Sequence, residues 1–200
     1  MEQLASARVR VRPPARSDCR AFLSAVRRSR SLHYPWVSAL DTPKAFANYL
    51  RRINSSGHRG FLVIESSTGD IAGVINLNNQ IRGTFQSAFL GYYGFLPHVG
   101  RGLMHEGMLL VIRHAFSDLK LHRLEANIQP GNQASLALVR KCGFLREGFS
   151  ARYLKIYGRW RDHERWAILA EAFRYAILYR RTQKLGYAAA PGPNSRVGIP

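Results

Sequence analysis

Two short stretches hold the residues able to do chemistry. The first runs Gly94-Phe95-Leu96-Pro97-His98-Val99-Gly100-Arg101-Gly102-Leu103-Met104-His105-Glu106. An apolar, aromatic run from Ala88 to Tyr93 precedes it and reads as a strand. A helical pattern follows, with apolar residues at Leu103, Leu110, Val111, Ala115 and Leu119. A strand, a glycine-bearing loop and a helix start make a natural anion site. Glycine lets the backbone come close, and the free N–H groups of the first helical turn point outward at the charge. No Gly-Lys-Ser/Thr follows, so this is not the P-loop, and the third glycine of the dinucleotide fingerprint is missing. The second stretch is Pro130-Gly131-Asn132 with Ser135. Asn132 and Ser135 stand at i, i+3, so one face of a helix start presents an amide and a hydroxyl together.

These stretches and those around them resemble the GNAT superfamily of N-acetyltransferases. Within it, Gly100-Arg101-Gly102-Leu103-Met104 with Glu106 is similar to the RimJ/RimL type, the ribosomal-protein N-terminal (alanine) acetyltransferases. Matching segments follow in order: Leu121 to Asn127, Pro130-Gly131-Asn132, Cys142-Gly143-Phe144, Glu147-Gly148 and Gly158 to His163. Arg10 to Pro13 and Pro35-Trp36-Val37 extend the likeness toward the N-terminus.

The resemblance implies acetyl-CoA as cosubstrate, no metal, and an amine as acceptor. The amides of Val99, Gly100, Arg101, Gly102, Leu103 and Met104 would hold the pyrophosphate. Arg101 either adds a charge to a phosphate or is a plain surface arginine. Phe95 and Leu96 would give backbone bonds to the pantetheine and polarise the thioester carbonyl. Asn132 would hold the pantetheine arm, cap its helix, or do both. Many members carry a tyrosine four residues beyond Ser135 as acid toward the thiolate; here that residue is Val139, which leaves Ser135 or water. A peptide α-amine has a pKa near 7.7–8.0, so a weak base suffices. Glu106 is the first candidate, although an acid in a first helical turn also favours the helix dipole. Glu125 and His122 stand behind it. His163, Asp162, Trp36, Tyr34 and His33 are candidates for the acceptor groove.

The elements that must position these groups follow from periodicity. Residues 8–12 alternate Arg8, Arg10, Arg12 with Val9 and Val11, a strand with one solvated face. Ser17 or Asp18 caps a helix running to about Ser29, and Ser31 to Leu40 reads as a loop. Asp41 or Thr42 caps the next helix, with Pro43 in its first turn. Phe61–Glu65 and Ile71–Asn78 form a hairpin, with Phe85–Tyr93 as third strand and Arg123–Ile128 as another. Asn132–Lys141 is a short helix stopped by Gly143. Phe149–Tyr157 and Arg165–Phe173 read as a final antiparallel pair joined by the turn Gly158–Asp162. The expectation is an α+β domain over residues 1–178, with one mixed, mostly antiparallel sheet flanked by helices, and a mobile tail over 179–200. The resemblance adds a splayed strand pair between the strand ending at Phe95 and the strand 123–128.

Two hundred residues suit one domain with a real core. Two cysteines, Cys19 and Cys142, make no disulfide framework, and no apolar run reaches transmembrane length; the expected place is the cytoplasm, away from membranes. The charge is unusual: 30 Lys and Arg against 12 Asp and Glu, a formal +18. Such a balance favours polyanionic partners (RNA, the ribosome or acidic polypeptides) or reflects arginine-rich composition alone. The leading expectation is acetylation of a protein N-terminus, a ribosomal protein by resemblance, by a monomer or homodimer. The rivals are an acetyltransferase for a small amine and a ribosome-assembly factor of weak activity.

Overall fold

A computed structural model describes residues 4–175; the expected tail at 179–200 lies outside the described residues. Eight strands form one sheet in the order β1-β2-β3-β4-β5-β6-β8-β7. They are β1 (Leu4–Ala5), β2 (Val9–Arg12), β3 (Arg59–Glu65), β4 (Ile71–Ile81), β5 (Ser87–Gly94), β6 (Arg123–Ile128), β7 (Leu145–Ile156) and β8 (Arg159–Leu169). Among the described strands only β5 and β6 run parallel. The helices are α1 (Cys19–Arg28), α2 (Arg30–His33), α3 (Pro43–Ile53), α4 (Leu103–Ser117) and α5 (Gln133–Cys142), and the class is α+β as expected.

Each face of the sheet has its own apolar layer. α4 and α5 bury Leu103, Met108, Val111, Leu136 and Val139 against Val63, Ile75, Leu90, Leu124 and Ala126. α1 and α3 bury Phe22, Val26, Phe46 and Leu50 against Leu62, Ile64, Val74 and Phe95. β3 lies between the two layers, which is why six of its seven residues are buried. Thr42 caps α3 by accepting from the Ala45 N–H at 3.1 Å, with Pro43 at the first helical position. Gly107 lets α4 lie directly on β3: a Cβ there would stand 2.7 Å from a Val63 methyl.

Three expectations need correction. The β7–β8 turn is two residues, not five: Tyr157 (φ 48°) and Gly158 (φ 76°) both take left-handed backbone, the pattern of a type I′ hairpin. Arg161, Asp162 and His163 therefore belong to a strand. β8 stops at Leu169, and residues 170–175 are helical rather than extended. The loop expected at 31–40 begins with α2.

Candidate active site

The parallel pair β5–β6 opens where chemistry is expected. Ser87 to Leu90 pair with Arg123 to Ala126, and there the pairing ends. β5 runs on to Gly94 and β6 to Ile128, so the β5 edge from Gly91 onward has no strand on its β6 side. Main-chain N–H and C=O groups along that edge are open to a ligand lying in the gap.

At the end of β5 the loop to α4 rises. Gly100 (φ 76°) and Gly102 (φ 81°) both need left-handed backbone, and space around a Cβ at Gly100 is empty for 4 Å. Among the described residues, the N–H groups of Val99, Gly100, Arg101, Gly102 and Leu103 meet no protein acceptor. These orphan donors at the start of a 15-residue helix form a cradle suited to a pyrophosphate.

The charged groups around the loop are already paired. The Arg101 guanidinium holds the Glu65 carboxylate at 2.5 and 3.1 Å. His98 Nδ1 lies 2.9 Å from the same carboxylate, which is buried. Arg101, His98 and their charge hold the Glu65 carboxyl below the usual range against the opposing effect of burial. Glu65 thus pins the loop to the sheet. Glu106 is similarly engaged. Arg8 Nε donates to it at 2.6 Å and the Ser6 hydroxyl at 2.8 Å. Burial opposes ionisation of Glu106, but these donors and the Arg8 charge outweigh it and keep its pKa low. That geometry makes Glu106 a latch between the β1–β2 turn and α4 and a poor proton acceptor. Arg8 also donates to the Arg101 carbonyl at 3.1 Å.

The main-chain groups of Phe95 and Leu96 expected to bind the pantetheine have partners within the protein. The Phe95 N–H donates to the Ala72 carbonyl at 2.8 Å. The Leu96 N–H donates to the Ser29 hydroxyl at 2.9 Å, and Arg28 donates to the Leu96 carbonyl at 3.3 Å. Ser29, fully buried after α1, in turn donates to the Ala25 carbonyl at 2.8 Å. The open edge therefore lies one step earlier, at Gly91 to Tyr93.

Across the gap, Asn132 caps α5: its side-chain oxygen accepts from the Ser135 N–H at 3.2 Å. Its amide nitrogen makes no protein hydrogen bond among the described residues, so the cap and a ligand contact are compatible. Ser135 is part-exposed beside it. Val139, the position where the resemblance implied a tyrosine, is fully buried in the core and offers no acid. A residue missed in the sequence stands there instead. Tyr92 on β5 reaches the Ser135 carbonyl with its hydroxyl at 3.4 Å. Burial raises the Tyr92 pKa above the usual phenol range, so the hydroxyl stays protonated. Strand alternation from Leu90 was the available signal.

The opposite face of the gap lies under the segment after α2. Gln129 donates to the Trp36 carbonyl at 3.1 Å, and the Tyr157 hydroxyl donates to the Val37 carbonyl at 3.0 Å. His33 sits at the gap's end, with Nε2 2.9 Å from the Gly94 carbonyl and its ring against Tyr93 and Phe95. The carbonyl can only accept, so Nε2 carries the proton and Nδ1 is a bare lone pair. Burial lowers the His33 pKa, only partly offset by that hydrogen bond. His163 donates from Nδ1 to the Arg161 carbonyl at 2.9 Å, and burial lowers its pKa too. By alternation Arg161, His163 and Arg165 on β8 share this face with Glu125 and Asn127 on β6. Asn78 on β4 lies over Gly91. Asn78 Oδ1, Asn127 Oδ1 and Arg161 Nε are enclosed without partners. Glu125 is taken by Arg123 and Arg165, at 2.8 and 3.3 Å. His122, a second-choice base, lies near Glu171 instead, 3.3 Å away before β6 begins. Asp162 accepts from the Arg152 N–H at 2.8 Å and faces solvent.

Comparison with known proteins agrees with this geometry. The acetyltransferase (GNAT) domain family matches residues 8–145. The [ribosomal protein uS5]-alanine N-acetyltransferase of Escherichia coli is 34% identical over 137 residues, covering 64% of this chain and 71% of that protein. The spermidine N(1)-acetyltransferase of Vibrio cholerae is 26% identical over 125 residues, covering 62% of this chain and 71% of that one. Mycobacterium smegmatis RimJ, solved in complex with CoA-disulfide, superposes with a TM-score of 0.77 at 25% identity, covering 85% of this chain and 88% of that one. The chain belongs to the GNAT acetyltransferases and uses acetyl-CoA as its donor.

Proposed function

We propose that this enzyme acetylates the α-amine of a protein N-terminus, a ribosomal protein foremost. The observation that carries the reading is the set of unmet polar groups on the acceptor face. Asn78 Oδ1 and Asn127 Oδ1 are neutral hydrogen-bond acceptors, and Arg161 Nε is a donor. A peptide offers the complement: amine and amide N–H groups for the two oxygens, and a carbonyl for the guanidinium. A polyamine has no carbonyl, and its further ammonium groups call for carboxylates. Glu125, the acid that shares this face, is already held by two arginines. The relative that acts on uS5 is consistent with this choice.

In this reading the loop 99–103 holds the pyrophosphate and the β5 edge from Gly91 to Tyr93 aligns the pantetheine. Acetyl-CoA supplies the activated acyl group. A substantial minority of an α-amine is already neutral at pH 7, so the base need only collect a proton. The His33 Nδ1 lone pair, at the end of the gap, is a better-placed acceptor than the latched Glu106. Ser135, with Tyr92 beside it, donates a proton to the departing sulfur. The test is steady-state acetylation of a panel: peptides beginning Ala, Ser and Met, the same peptides with blocked α-amines, free lysine and spermidine. Turnover confined to free peptide α-amines is expected. Preference for spermidine would reject the reading.

A further inference from the structure

At the end of the sheet away from the loop 99–103 lies a second concavity, of about 660 Å³. Its walls are the turn from the end of α3 into β3, Pro13 after β2, and Gln80 and Arg82 at the end of β4. Gly73 on β4 pairs with Gly94 at the gap, and Gln80 is seven residues further along. At ~3.3 Å per residue the concavity lies roughly 23 Å from that end of the gap and roughly 7 Å beyond Asn78 on the acceptor face, so it adjoins that face and stands apart from the loop 99–103.

Its chemistry is one-sided. Three basic side chains line it, His58, Arg59 and Arg82, and no carboxylate does. His58 Nδ1 and Arg59 Nε are enclosed by protein yet meet no acceptor. Arg82 is braced by donating from Nη1 to the Leu119 carbonyl at 2.5 Å. The Gln80 N–H donates to the Gly57 carbonyl at 2.8 Å, which fixes the turn that carries the two basic neighbours. Arg59 Nε is a donor, and His58 Nδ1 is one in the tautomer that carries its proton there; enclosed and unmet, the two call for an anion with several oxygens, and a phosphate fits.

Two surroundings choose between a free phosphate and a polymer. Cations continue from the rim: Arg51 and Arg52 stand on the last turn of α3, Arg51 donating to Asn48 Oδ1 and Arg52 with its guanidinium 5.8 Å from the Tyr49 ring centroid. Beside Arg82, on the β4–β5 connection, Phe85 is 67% exposed and Ile81 42%. A bare aromatic next to a phosphate pocket and a cationic track is what a single-stranded nucleic acid uses, with a phosphate in the pocket and a base on the ring. We propose that the α3–β3 concavity is an RNA docking site, taking a backbone phosphate on His58, Arg59 and Arg82 and stacking an unpaired base on Phe85. The site holds whichever amine the enzyme acetylates, and it gives the +18 charge a defined place to act.

The test is fluorescence anisotropy of a labelled 12-nucleotide single-stranded RNA across a salt series. The proteins are the wild type, Arg59→Gln/Arg82→Gln, Phe85→Ala, and a control of equal charge, Arg146→Gln/Arg159→Gln on the β7–β8 hairpin. The pocket double variant is expected to bind at least tenfold more weakly and to lose about 1.4 from the slope of log affinity against log salt, two phosphate contacts at ~0.7 each. Phe85→Ala is expected to lose about tenfold with the slope intact, and the control to stay within twofold. Acetylation of a short peptide is expected unchanged in all four, which also reports folding. Equal losses in the pocket and control variants would overturn the proposal by showing charge without a site. Binding of inorganic phosphate or a nucleoside monophosphate as tightly as the RNA would overturn it in favour of a small anion. Should Arg82→Gln disturb the fold, Arg59→Gln with Phe85→Ala carries the same comparison.

Discussion

The loop before α4 makes the sharpest prediction through Gly102→Val. Gly102 has φ 81°, and an added Cβ would lie 3.2 Å from the Arg8 guanidinium, the movable end of a long side chain. The steric term inside the protein is therefore small, and the cost is the left-handed backbone, about 1–2 kcal/mol. Gly83 supplies the control. It has φ 66° with nothing within 4 Å, and it sits at the other end of the sheet, on the β4–β5 connection. Both variants should lower Tm alike, by about 2–8 °C for a chain of this size. Only Gly102→Val places a branched side chain where the pyrophosphate would approach. Loss of one or more bonds to a charged group, at about 1.5–3 kcal/mol each, weakens acetyl-CoA binding by about 10- to 150-fold. Calorimetric titration with acetyl-CoA and a thermal melt on each variant decide the matter. Equal Tm shifts with unchanged affinity in Gly102→Val would refute the cradle.

Ser135→Ala should lower kcat by ~10²–10⁴ while leaving cofactor affinity within twofold, because its backbone cap bond to Asn132 survives; normal turnover would leave water as the acid. Glu106→Gln should cost no more than about 1 kcal/mol, since the Arg8 partner is 55% exposed, and should keep most activity; a folded but inactive variant would restore Glu106 as the base. Stability should fall on acidification in two steps. His33 and His163 have lowered folded pKa values, so the unfolded chain binds protons first and stability is lost as pH drops below about 6.5. Glu65, Glu106 and Glu147 are held low by arginines, so a second loss begins below about 4.3. A Tm flat from pH 7 to 5 would contradict the neutral, buried histidines.

Features written in local chemistry were legible in the sequence. The Thr42-Pro43 start of α3, the Asn132 cap and Gly143 stop of α5, and the run Arg123–Ile128 depend on neighbours a few residues apart. The β7–β8 turn was obscured because Tyr157, not Asn or Gly, takes its first left-handed position. The apolar run after Leu169 fits a strand or a helix equally by composition, and the end of the sheet decides for the helix. The candidate site was half visible. Gly100, Gly102, Asn132 and Ser135 announce themselves by spacing. The partners that take Leu96, Arg101 and Glu106 out of their expected roles come from 67, 36 and 98 residues away in the chain. No local pattern marks Ser29, Glu65 or Arg8 as those partners, and Asn78 on β4 and Asn127 on β6 come to one face only through the sheet order.

The most direct test is to incubate the enzyme with ribosomal proteins and spermidine together, using isotopically labelled acetyl-CoA, and to locate the label by mass spectrometry. The account predicts label on the α-amine of a protein N-terminal residue, abolished in Ser135→Ala. Label on spermidine or on lysine side chains, with the N-termini unlabelled, would contradict it.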